Sequence, residues 1–210
     1  MTRLRRAAVI AFCVHLLAGI SMAFLLSPGL ETTPVLQDRL AYLVNQRALW
    51  TFGWLTWTAA AITILYFYLV FADVHRSSSH LAIFLTVVAL GPDLAAQAIE
   101  IGVLPQLASQ AFSKNAAPEL FLTLHRVAVM LSGYVANTLY SVTAMALTWS
   151  ARRAYPLWVS IAGVAVGIFG IALSISALLD SAAGMFWTNV LLVPAILLWL
   201  AAVAITLPRR

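Results

Sequence analysis

Cysteine and lysine are nearly absent from this chain. Cys13 is the one thiol, so no internal disulfide and no multi-cysteine metal site can form. Lys114 is the one lysine. Charged residues make up only 9% of the 210, against about 25% in soluble domains. No basic stripe with interleaved aromatics exists, so the net charge of +5 does not describe a nucleic-acid-binding protein. Signatures of soluble catalysis are missing as well. There is no His-Glu-x-x-His, no Gly-x-Ser-x-Gly and no glycine-rich phosphate loop with a lysine.

What is present is apolar sequence in long runs. Hydrophobic residues are 63% of the chain. A membrane-crossing helix needs roughly 20 mostly apolar residues. Six stretches meet that length, at about 7–26, 50–72, 81–104, 120–149, 157–179 and 185–207. Too little sequence remains outside them for a soluble domain. The expected fold is therefore all-α, one polytopic bundle of six transmembrane helices, with the lipid bilayer as its surroundings.

Basic residues suggest the orientation, because cytoplasmic loops carry an excess of Arg and Lys. With both termini inside, that side holds Arg3, Arg5, Arg6, Arg76, Arg152, Arg153, Arg209 and Arg210. The outer side holds Arg39, Arg47 and Lys114. Eight against three fits cytoplasmic N- and C-termini and a multi-pass protein of the cell inner (plasma) membrane. The first run also resembles a signal peptide, with Arg3–Arg6 before it and Ser21-Met22-Ala23 as a cleavage site. Its 20 or so apolar residues exceed the usual 7–15, which favours a retained helix.

The connections differ in length. Asp73–His80 and Ser150–Pro156 are short, whereas Ser27–Leu49 and Pro105–Pro118 are longer. Within the first long loop, Val35, Leu36, Leu40, Leu43 and Val44 recur at helical spacing, which fits a short loop-capping helix on the membrane surface. Trp50, Trp54, Trp57, Trp149, Trp158, Trp187 and Trp199 lie toward the ends of spans, as in an interfacial belt. Trp50, Trp54 and Trp57 also share one helix face, which leaves a ligand cage as the other reading. Gly163, Gly167, Gly170 and Ser174 form a small-residue stripe in the fifth span. Such a stripe lets helices approach closely, either within the bundle or in a homo-oligomer or complex with a membrane partner.

Chemistry is concentrated in one place. Asp93, Gln97 and Glu100 share a helical face inside the third span. A charge near the bilayer centre costs at least about 2.5–3.5 kcal/mol, so it is kept only where something pairs with it or uses it. The fourth span runs back past them and carries His125 and Arg126. Depth matching at 1.5 Å per residue places Arg126, or its neighbour His125, beside Glu100. Gly133, Asn137 and Tyr140 follow Arg126 along one face, with Asn137 in reach of Asp93. No fixed positive charge lies at the depth of Asp93, where an isolated acid acts as a proton carrier or a buried hydrogen-bond donor. Asp93, Gln97, Glu100, His125, Arg126, Asn137 and Tyr140 are the candidates for a ligand or proton pocket between the third and fourth spans.

No cofactor or metal is implied. His15, His75, His80 and His125 offer no pair at one depth for haem. A zinc site from His75, His80 and Asp73 is weakly drawn. Two stretches, Phe52–Tyr68 and Asp93–Pro105, with Leu131–Trp149 after them, resemble uncharacterised multi-spanning membrane proteins of bacteria. That resemblance implies a six-helix inner-membrane protein and no activity. Three functions stay open: binding or moving a small solute, lipid or proton; a scaffold or accessory subunit whose polar groups only join helices; and an intramembrane enzyme using Asp93 or Glu100. A non-enzymatic role is favoured.

Overall fold

A computed structural model describes residues 2–75, 80–113 and 117–206. Arg76, Lys114, Arg209 and Arg210, which enter the charge bias, lie outside these residues, as does the end of the expected sixth span. Six helices are long and apolar enough to cross a membrane. They are α1 (Arg3–Gly29), α3 (Arg47–His75), α4 (His80–Phe112), α5 (Glu119–Ala151), α6 (Leu157–Leu178) and α7 (Ala182–Ile205). A short helix, α2 (Leu36–Asn45), lies between the first two. The chain is thus all-helical and fits a multi-pass membrane protein. Ile161, Ile168 and Ile175, spaced two turns apart on α6, face outward and exposed, as a lipid-facing stripe must.

Each span packs against its neighbours in sequence, and α7 returns to pack against α1. The six spans therefore close into a ring. Its half nearest the termini is solid. There Phe67 meets Trp199 edge-on, with ring centroids 5.3 Å apart, and Phe71 stacks on Tyr155 at 6.0 Å. Tyr155 in turn hydrogen-bonds His75 at 3.0 Å. This aromatic plug fills the ring and seals that end. At the opposite end α2 lies across the bundle, with Leu40 and Leu43 buried against Leu26, Trp50 and Phe121. The loop-capping helix expected from the spacing is present.

Helix α4 runs further than expected, through Pro105 to Phe112. A proline inside a helix lacks an N–H and crowds the carbonyl four residues back, here Ile101. That carbonyl sits in a widened π-helical turn, Ile99–Val103, which makes room for the ring. The outer loop expected over 105–118 is correspondingly short. The turn between α6 and α7 is set by Asp180, at φ 56°, a left-handed conformation that Asp tolerates better than most residues. Ser181 then caps α7, its side chain accepting from the Gly184 N–H at 3.2 Å.

The glycine stripe of α6 packs inside the ring, against α5. A Cβ on Gly163 would collide with Thr148 Oγ1 and fall 2.7 Å from Trp199 Nε1. On Gly170 it would collide with Ser141 Oγ. Packing within the bundle is one of the two uses the spacing allows, and it is the one these glycines serve here. Gly163→Ala should therefore overpack the α5–α6 contact and cost about 1–3 kcal/mol. A lowered midpoint of thermal unfolding in detergent checks this.

Candidate ligand-binding cavity

Between the aromatic plug and α2 the ring is hollow. All six spans wall a cavity of about 200 Å³. Small residues open it: Ala60, Ala61, Ala96 and Ala128 stand where larger side chains would fill the centre. The expected site between the third and fourth spans is one side of this larger space.

At mid-depth the cavity is lined by Asp93. Asp93 is buried, and its two carboxyl oxygens accept from Ser132 Oγ at 2.7 Å and from Tyr140 Oη at 3.3 Å. Among the described residues no Lys or Arg side chain meets it, in keeping with the depth argument. Asn137 does not reach it. Its amide instead donates to Gly170 O at 2.6 Å and Ser174 Oγ at 2.9 Å, joining α5 to α6. Across the cavity, His15 Nδ1 lies 2.8 Å from Ala11 O. A carbonyl only accepts, so Nδ1 carries the proton and Nε2 is left as a lone-pair acceptor. One turn above Asp93, Gln97 accepts from Thr58 Oγ1 at 2.6 Å.

The end under α2 is the most charged part. Glu100 is 2% exposed. Its partner is not Arg126. That guanidinium points outward, 2.9 Å from Asp180 Oδ1 and 3.2 Å from Leu178 O. His125, the other candidate, faces Glu100 instead, with Nε2 3.5 Å from Glu100 Oε1 and 3.1 Å from Glu31 Oε2. The physical reason is a π-helical segment, Met130–Ala136, inside α5. It adds a residue to the turn, so the face of Gly133, Asn137 and Tyr140 continues to His125 rather than to Arg126.

Arg39 of α2 completes the cluster. Its Nη2 contacts His125 Nδ1, and its guanidinium lies over the Phe121 ring, 5.6 Å from the centroid. Guanidinium has no acceptor, so His125 Nδ1 must hold the lone pair and Nε2 the proton. That N–H points between the two carboxyl groups and aligns with neither. Glu31 Oε2 and Glu100 Oε2 are both buried without a hydrogen-bond partner. Burial pushes the Glu31 carboxyl up, but the adjoining His125 ring and the Arg39 charge outweigh it and hold Glu31 below the usual range. Burial lowers the Arg39 guanidinium from its ordinary value, against the pull of Glu31 and Glu100.

The tryptophans divide. Trp149, Trp158 and Trp187 are exposed, as an interfacial belt requires. Trp50, Trp54 and Trp57 turn inward, and Trp199 belongs to the plug. Trp50 is fully buried and donates to Glu100 O at 2.7 Å. Trp54 and Trp57 line the cavity, and both indole N–H groups are buried without an acceptor. The belt reading of this trio is thereby corrected, because α2 covers the end of α3 that would otherwise meet the headgroups.

Sequence reasoning missed Glu31 and Arg39. The signal for Arg39 was present: it sits between Leu36 and Leu43 on the apolar face of α2, three and four residues away, where a charge has no reason to be without a partner. Glu31 lies in irregular backbone and left no periodic trace. Of the weakly drawn zinc trio, His75 bonds Tyr155 and Asp73 pairs with Arg3 at 3.5 Å. Compared with known protein families, curated proteins and solved structures, the chain matches none, so no family is assigned.

Glu100 and Arg126 do not touch, so a double-mutant cycle of Glu100→Gln with Arg126→Gln should give a coupling within about 0.5 kcal/mol of zero. Arg39→Gln, which removes the charge facing Glu31 across His125, should cost about 1–3 kcal/mol. Unfolding midpoints of these variants and the parent protein in detergent test both statements.

Proposed function

We propose that this protein binds a small solute inside the membrane, in the cavity enclosed by its six spans. The observation that carries this reading is Glu100, a residue of the cavity wall whose Oε2 is buried and without a hydrogen-bond partner. A fold that only joined helices would pair such a group or replace it, since leaving it unsatisfied costs about 1–3 kcal/mol or more. An enclosed, mostly apolar space with a few converging polar groups is the usual form of a small-molecule site. The volume is of the order that admits a single benzene-sized molecule, which sets the size class of the solute.

Several features agree with this role. The π-helical segments of α4 and α5 carry Glu100 and Ser132 to the cavity, and such segments recur at functional sites. α2 forms a lid over the charged end. The aromatic plug closes the other half, so the reading is binding rather than open passage. The basic residues favour cytoplasmic termini, which puts the lid on the outer side of the plasma membrane.

Substituted-cysteine labelling tests this. In a Cys13→Ser background, Ala61→Cys places a thiol on the cavity wall. In proteoliposomes the neutral reagent methyl methanethiosulfonate should modify it in folded protein. A thiol that reacts only after denaturation would mean a sealed core, and the polar groups would then be helix-joining elements of a scaffold.

A further inference from the structure

The charges around the cavity do not balance. Glu31, Asp93 and Glu100 line it, and among the described residues no Lys or Arg side chain does. Arg39, behind His125, is the one guanidinium among the described residues that reaches the cluster. His125 stands between Glu31 and Glu100, 3.1 and 3.5 Å from their carboxyl oxygens, and is the other basic side chain of the cluster among the described residues. Arg126 is drawn away to Asp180. Three acids thus face one fixed cation in a site that cannot recruit bulk water cheaply. Glu31 and Arg39 account for each other across His125. Among the described residues, neither Glu100 nor Asp93 pairs with a Lys or Arg side chain, and Glu100 has only the His125 ring beside it.

Between these two acids the wall is aromatic. Trp54, Trp57, Tyr68 and Tyr140 line it together with Asp93, Gln97 and Glu100, and Tyr140 bonds Asp93. Aromatic faces are negative, and a cation over an indole or phenol is attracted to them. An anion placed here would meet two acidic residues among aromatic side chains. A neutral apolar solute would leave Glu100 Oε2 unpartnered. A compact organic cation satisfies the carboxyl charge and the rings together.

Resting on the reading that the cavity binds a solute, we propose that its ligand class is small organic ammonium cations, seated between Glu100 and Asp93 against Trp54 and Trp57. The positive nitrogen takes the place of the missing guanidinium. A hydroxyl or carbonyl oxygen on the same molecule supplies an acceptor for the free indole N–H groups. The roughly 200 Å³ restricts the class to compact molecules rather than drug-sized ones.

The test uses the full-length protein carrying Cys13→Ser and Ala61→Cys, in proteoliposomes. Choline and tetramethylammonium are compared with 3,3-dimethyl-1-butanol, the uncharged isostere of choline. The readout is protection of the introduced thiol from methyl methanethiosulfonate, with tryptophan fluorescence as a second measure. The cations should protect at concentrations more than about tenfold below those of the neutral isostere. Glu100→Gln should reduce that preference by more than about tenfold. Trp57→Phe, which keeps an aromatic face but removes the N–H, should weaken choline more than tetramethylammonium. Equal or better protection by the neutral isostere overturns the cation assignment and leaves the solute-binding reading standing. A reactive thiol that no cation protects overturns it too. A thiol that never reacts in the folded protein removes the solute-binding reading itself. Should Glu100→Gln fail to fold, Asp93→Asn serves in its place, with the same expected loss.

Discussion

A carboxyl group inside a bundle that is itself inside lipid has to be compensated, and the fold is arranged around that requirement. Glu100 is the most deeply buried acid. The backbone carbonyl of the same residue receives the Trp50 indole, its side chain faces His125, and His125 is held by Arg39 from a helix outside the membrane spans. α2 is thereby tied to the bundle by charge as well as by Leu40 and Leu43. Without that cluster the lid would rest on apolar contacts and the hydrogen bond from Tyr42 Oη to Leu25 O.

Much of the architecture is legible because a bilayer imposes simple lengths. Six apolar runs of about 20 residues predict six spans, and six are found. The Asp93–Gln97–Glu100 face is legible for the same reason: in a nearly charge-free span, polar residues at helical spacing stand out. What was not legible depends on departures from the regular helix. His125 and Arg126 are adjacent, and a straight α-helix selects Arg126 from the positions of Gly133, Asn137 and Tyr140. One π-helical turn moves the choice by a residue. The same kind of turn carries α4 through Pro105, where the sequence suggests a loop. The tryptophans at 50, 54 and 57 show a different limit. Their position near the end of a span is an interfacial signal only while nothing covers that end, and α2 covers it.

The two halves of the ring divide labour by composition. Toward the termini, bulky rings from α3 and α7 meet at the centre, and Tyr155 closes beneath them. Toward α2, alanines occupy the corresponding inward positions of α3, α4 and α5. On α3 the change occurs within about two turns, between Ala61 and Phe67. The same helix therefore supplies the wall of the cavity and its floor.

The ring also sets an order of events during synthesis. Most of its contacts run between spans consecutive in the chain, the exceptions being α3 against α5, the plug contact of α3 with α7 and the return of α7 to α1. Helices can therefore associate as they leave the insertion machinery, each against the one before. The cavity has no complete wall until the last span arrives, when Val193 of α7 meets Gly19 of α1. Until that seam closes, Asp93 and Glu100 border an interior open to lipid. Biogenesis and the emergence of a usable interior are therefore one event, governed by the final helix.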